Sequence, residues 1–154
     1  MTERYLLPPL MTDAHGQPRK AGFEFEFGNL PILETARALQ DSLGGDLDVK
    51  SPFEATLSNS RLGRLKIERD ADILKSMKYR RWLEQLGVEF SPGSFAHGIE
   101  TNIDNASKTL VPCEVVTEPI PFDRLPILDD LVRTLNSLGA EGTQHSMIYA
   151  FGLH

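Results

Sequence analysis

The chain has 154 residues, of which 40% are hydrophobic and 25% charged, an ordinary composition for one soluble domain able to bury a core without staples. Asp and Glu total 22 against 16 Lys and Arg, a formal net charge of −6, which argues against bulk nucleic-acid binding through a basic surface and suits a protein that borrows positive charge from metal ions. The single cysteine, Cys113, leaves no intrachain disulfide and points to a reducing compartment.

Residues 1–20 carry Pro8, Pro9, Gly16 and Pro18 among polar residues and read as an irregular lead-in to a domain over 21–154,. The start is too short and too proline-broken for a signal peptide. No stretch approaches the ~20 apolar residues of a membrane span. The expectation is a cytoplasmic protein with no membrane and no nucleic-acid partner.

The segment Gly22-Phe23-Glu24-Phe25-Glu26-Phe27-Gly28 alternates strictly between apolar and acidic residues and predicts a strand,. A helix follows, with Asn29 as its cap, Pro31 in its first turn, Ile32, Ala36, Leu39 and Leu43 on one face, and Gly44-Gly45 as its stop,. Residues 53–59 and 64–70 predict two strands joined by a turn at 61–63, and residues 71–87 a helix bearing Lys75, Lys78, Arg80 and Arg81. Residues 91–108 read as a loop and 109–117 as a strand. Residues 123–138 predict an amphipathic helix with Leu128, Leu131, Val132, Leu135 and Leu138 inward, stopped by Gly139, and 147–154 a last strand,. This order mixes hairpins with helical crossovers. It favours an α+β fold, a mostly antiparallel sheet with helices on one face.

Four places could carry chemistry. Alternate strand residues share a face, so Glu24 and Glu26 stand together with their carbons about 7 Å apart, able to flank divalent ions. The plain reading of such a pair is the polar face of a half-exposed sheet. In Cys113-Glu114-Val115-Val116-Thr117-Glu118, the residues Glu114, Val116 and Glu118 share one face. An acidic residue within so apolar a strand is costly unless paired or bound to a cation. Cys113 lacks a cationic sequence neighbour and reads as a small core residue. In Arg64-Leu65-Lys66-Ile67-Glu68-Arg69-Asp70, charges of both signs alternate with apolar residues, as on a solvated face or a substrate-binding one. Parity puts Lys66 beside Glu68 and Arg69 on the opposite face. The fourth place is His154, at the end of Phe151-Gly152-Leu153-His154; His15, His97 and His145 fall in predicted loops.

Taken in order, these segments resemble the amidoligase family, which shares its catalytic fold with glutamine synthetase and glutamate–cysteine ligase. The resemblance runs from Leu7-Pro8-Pro9 to the last residue. Gly22 to Phe27 is similar to the family's opening acidic strand, residues 65–70 to a later strand with a glutamate and an aspartate two apart, Glu114-Val115-Val116-Thr117-Glu118-Pro119 to its Glu-x-x-Thr/Ser-x-Pro strand, and Phe151 to His154 to the start of a histidine-bearing strand. The resemblance implies an ATP-dependent carboxylate–amine ligase working through an acyl phosphate with Mg²⁺ or Mn²⁺. Glu24, Glu26, Glu114 and His154 are then the metal ligands, and Glu68 and Lys66 the catalytic pair, with Lys66 facing the substrate carboxylate. The substrates would be small-molecule or peptide carboxylates and amines. The family pattern continues beyond the position of His154, so the resemblance also implies a catalytic domain truncated at its C-terminus. Two rival readings are a Mg²⁺-dependent phosphate-ester hydrolase and an inactive fragment serving only as an interaction module. The second expects an open last strand that favours pairing into a homo-oligomer.

Overall fold

A computed structural model of the chain describes residues 8–51, 53–69 and 112–142. The helix expected over 71–87, the loop over 91–108, the strand over 147–154, and with them Asp70, His97, His145 and His154, lie outside the described residues.

Strand β1 (Lys20–Ala21) precedes β2 (Glu24–Phe27), helix α1 (Ile32–Leu43), β3 (Asp46–Ser51), β4 (Glu54–Ser60) and β5 (Gly63–Arg69). Then come β6 (Cys113–Thr117), β7 (Ile120–Pro121), a 3₁₀ turn (Phe122–Arg124) and helix α2 (Leu125–Ser137). Five strands form one antiparallel sheet in the order β2-β6-β5-β4-β3, and β1 pairs with β7 in a separate two-stranded ribbon. The fold is α+β, an antiparallel sheet with two helices packed against it, as the alternating patterns predict. Strand β3, like the two-residue β1 and β7, has no counterpart in the sequence reading. Its sequence, Asp46-Leu47-Asp48-Val49-Lys50-Ser51, leaves most residues exposed, so a strand held by pairing with β4 carries little hydrophobic signature.

One sheet face is apolar. Phe27, Cys113, Val115, Ile67, Leu65, Ala55 and Leu57 are buried there and join Ile32, Ala36, Leu39 and Leu43 of α1 and Leu128, Leu131 and Leu135 of α2 in a single core. The helix positions follow from 3.6-residue periodicity. Each fully buried Leu or Ile contributes roughly 1.5–3 kcal/mol through area removed from water, so this face supplies most of the fold's stability. Helix α1 lies on β3, β4 and β5, and α2 packs on α1. Among the described residues no helix is long and apolar enough to cross a membrane.

The helices depart from expectation in three places. Asn29 does not cap α1. It sits at φ +68 and its amide donates to the Gly139 carbonyl and to Glu141 Oε1, both at 3.4 Å. Pro31 is the N-cap instead; its carbonyl accepts from the Thr35 backbone N–H at 3.0 Å and hydroxyl at 2.8 Å. Val132 faces outward, 38% exposed, because the face that meets α1 is set by Leu128, Leu131 and Leu135. The predicted start of α2 at 123 falls in the 3₁₀ turn, and Pro126 occupies the first turn of the α-helix proper, where its missing N–H costs nothing,. Gly44 ends α1 as predicted, its N–H bonding the Gln40 carbonyl at 2.8 Å. Gly45 follows at φ +104, where a Cβ would collide with the Ser58 carbonyl. That close approach lets α1 turn directly into β3 against β4.

Candidate functional site

The site grows out of strand parity. In β2, Phe27 is buried and Phe25 is packed against the core, so Glu24 and Glu26 point to the opposite face,. In β6, Cys113, Val115 and Thr117 are buried while Glu114 and Val116 are half-buried on that other face. In β5, Leu65, Ile67 and Arg69 are buried and Lys66 and Glu68 lie opposite. In β4, Ala55 and Leu57 are core residues, which puts Glu54 and Thr56 on the polar face. Glu118 follows the last residue of β6 and is exposed.

Cross-strand register then decides which of these residues meet. Glu26 of β2 stands opposite Glu114 of β6, Glu114 opposite Glu68 of β5, and Glu68 opposite Glu54 of β4. Four glutamates thus form one rung across four neighbouring strands. One pleat along, a second rung runs Glu24, Val116, Lys66, Thr56 and Asp48. Directly opposed side chains have Cβ atoms ~4.5–5.5 Å apart, and like charges at that distance destabilise a sheet.

Lysines offset part of this charge. Lys66 Nζ lies 2.7 Å from Glu68 Oε1, and Lys50 Nζ 2.8 Å from Glu54 Oε1. The hydrogen bond to Glu68 raises the Lys66 pKa above its ordinary value against the opposing effect of burial, and the charges of Glu68, Glu54 and Glu114 add to the rise. Three rung members therefore act on one ammonium. The hydrogen bond from Lys50 holds the Glu54 carboxyl below the usual carboxylate range, with Lys66 and Arg64 adding to it.

The donor chemistry of the rung, carboxylate oxygen without sulfur or imidazole, fits a hard divalent cation such as Mg²⁺ or Mn²⁺. The carboxylates lie along a line rather than around a point. Among the described residues no three His, Cys, Asp or Glu side chains are gathered closely enough to hold a metal ion as they stand. The register and this absence describe different things: the backbone sets the residues side by side, and a cation would draw their flexible ends together.

The sequence-predicted residues Glu24, Glu26, Glu114, Lys66 and Glu68 all stand on this one face, on three adjacent strands. His154 falls outside the described residues. Arg69 is on the helix side, 6% exposed, in agreement with parity. Cys113 is a core residue whose thiol donates to the Leu30 carbonyl at 3.0 Å. Burial pushes its pKa up to about 11 against the lowering charge of Arg69. That cation is invisible among Cys113's sequence neighbours and arrives by cross-strand pairing. His15 sits in an exposed turn, where its backbone N–H donates to Asp13 Oδ1 at 2.8 Å. Sequence reasoning missed Glu54 and Thr56. Alternation in Glu54-Ala55-Thr56-Leu57 could have assigned them a face, but only the register assigns them to the two rungs. A cavity of about 610 Å³ at the β1–β7 ribbon, lined by Met11, Arg19, Lys20 and Phe122 among others, contains none of these residues.

Compared with known proteins, the chain matches the family model described as putative amidoligase enzyme over residues 17–154. No curated protein and no solved structure matches it.

Proposed function

The chain belongs to the putative amidoligase enzymes, and we propose that it carries part or all of the site of an ATP-dependent ligase joining a carboxylate to an amine. A carboxylate is a poor electrophile, and phosphoryl transfer from ATP would convert it to an acyl phosphate that an amine can attack. The reacting groups are all anionic, so positive charge must be brought to them. The observation that carries this reading is the rung of four facing glutamates with a lysine one pleat away. Such a face concentrates carboxylate oxygens where a bound cation would offset their mutual repulsion,.

In this reading Glu24, Glu26 and Glu114 hold Mg²⁺ or Mn²⁺, which would neutralise phosphate charge when bound. Glu68 lies between Glu114 and Glu54, able to turn from Lys66 toward a cation. Release of that ion pair frees the Lys66 ammonium for the substrate carboxylate.

Isothermal titration with ATP, with and without Mg²⁺, tests the reading on the wild-type chain and on Glu24→Ala. The expected result is nucleotide binding that needs the metal and is lost in the variant. Product analysis should show ADP released only when a carboxylate and an amine are both present. Metal-independent binding, or binding unchanged by Glu24→Ala, would remove Glu24 from the site. ADP or phosphate release without an amine would favour a hydrolase.

A further inference from the structure

The buried hydroxyls of this fold are unequal. Thr35 donates to the Pro31 carbonyl at 2.8 Å, Ser60 to the Gly63 carbonyl at 2.7 Å, and Thr117 Oγ1 accepts from the Phe23 backbone N–H at 3.0 Å. Thr56, 4% exposed, makes no such bond: its Oγ1 is the one buried side-chain polar atom without a partner among the described residues. A buried hydroxyl without a partner loses its hydration and regains nothing, so such groups are rare in native proteins and call for an explanation.

The place of Thr56 supplies one. It belongs to the polar face, between Lys66 on β5 and the exposed Asp48 on β3. Its own strand carries Glu54 two residues before it, the last member of the acidic rung. A threonine hydroxyl can donate one hydrogen bond, and a lysine ammonium can only donate. Two donors set on neighbouring strands, one pleat from four carboxylates, complement an acceptor that carries negative charge beside a cation site. An apolar partner would leave the hydroxyl unsatisfied, and a cationic one would be repelled by Lys66.

We infer that Thr56 and Lys66 form an oxyanion subsite, in which the Thr56 hydroxyl and the Lys66 ammonium donate to the same carboxylate or phosphate group. The inference rests on the ligase reading for the role of that anion as substrate; the binding itself does not. An anion there competes with Glu68 Oε1, 2.7 Å from the ammonium, for the Lys66 charge. Cation binding to the acidic rung and anion binding to the mixed rung then favour each other, since each removes a partner from the same ion pair.

The test uses the whole chain with two probes, glutarate for a substrate carboxylate and inorganic phosphate for a nucleotide phosphate, titrated calorimetrically in the presence of Mg²⁺. Thr56→Val should weaken binding of the recognised anion about tenfold, the loss of one hydrogen bond to a charged group. The same variant should melt at the wild-type temperature or above it, because it deletes an unpartnered hydroxyl. Thr56→Ser should restore affinity. Binding of glutarate alone assigns the subsite to the carboxylate substrate, and of phosphate alone to the nucleotide. Wild-type affinity in Thr56→Val, a lowered melting temperature in that variant, or no binding of either probe to the wild type would overturn the inference. Thr56-dependent glutarate binding in a chain that releases no ADP with any carboxylate and amine would sink the ligase reading and leave the subsite standing.

Discussion

The two faces of the central sheet are built from the same strands and read in opposite terms. On the helix side Leu65, Ile67, Val115, Ala55 and Leu57 are fully buried and interlock with α1 and α2. On the other side the same strands present Glu26, Glu114, Glu68 and Glu54 in one rung, with Lys66 and the unpartnered hydroxyl of Thr56 in the next. The first face gains free energy at nearly every residue. The second places like charges opposite one another and leaves a hydrogen bond unmade, both of which cost stability. Residue parity separates the work of holding the fold from the work of binding, so the two should respond independently to mutation and to pH.

The largest expected contrast comes from paired substitutions on the two faces. Leu65→Ala, which empties a fully buried site, should lower stability by ~2–5 kcal/mol. Glu24→Gln, at an exposed position, should change it by less than ~0.5 kcal/mol. Urea unfolding of both variants decides the matter; equal losses would break the division of labour.

A smaller contrast lies in alkaline solution. Cys113 has its pKa raised from 9.0 to about 11 by burial. Below pH 9 both folded and unfolded chains keep the thiol proton and the contribution is fully present. As pH rises from 9 to 11 the unfolded chain loses that proton first, and stability falls by roughly 2–3 kcal/mol. Cys113→Ala should flatten this part of the stability–pH profile whatever its effect at neutral pH. On the other face, Lys66 also has a raised pKa, so its contribution too is complete below its unfolded value and is lost as pH rises through the folded one. It is 43% exposed, and Lys66→Met should remove only the ~0–1 kcal/mol of a solvent-screened pair. A Lys66 effect as large as that of Cys113 would mean that the polar face also holds the fold together.

The smallest effect belongs to the rim. Asp130 accepts from Arg133 and Arg61, each at 2.9 Å, and these bonds lower its pKa. Its contribution is present above the ordinary carboxylate range and is lost as pH falls through the depressed folded value. Asp130→Asn should shrink the acid-side dependence slightly, and molar salt should erase the difference from wild type. A difference that survives salt would show that Arg61 anchors the β4–β5 turn to α2 by more than charge.

Much of this molecule is written locally. The alternation Phe23-Glu24-Phe25-Glu26-Phe27 assigns each side chain to a face before any partner strand is known, and Ile32, Ala36, Leu39 and Leu43 mark the inner face of α1. These assignments follow from the two-residue period of a strand and the 3.6-residue turn of a helix, which put Glu24, Glu26, Glu114, Lys66 and Glu68 on polar faces; the family resemblance then named them as candidates. Local signals failed where tertiary contacts ruled. Asn29 was drawn from capping to the contacts at Gly139 and Glu141, Val132 was turned outward by the packing of α2, and exposed β3 was held by its neighbour.

The meeting of the acidic residues was decided by the tertiary structure alone. Glu26, Glu54, Glu68 and Glu114 become one rung through three antiparallel registers, and Thr56 comes to face Lys66 only because β4 pairs with β5 in that frame. Register depends on turn length, on irregularities such as the shift between Leu57 and Ser60, and on which apolar set is buried under the helices; a slip of one residue would send every side chain of a strand to the other face. The sequence by itself determined the faces, because side-chain direction is a property of the local backbone. The tertiary structure determined the site, because distance between strands is not.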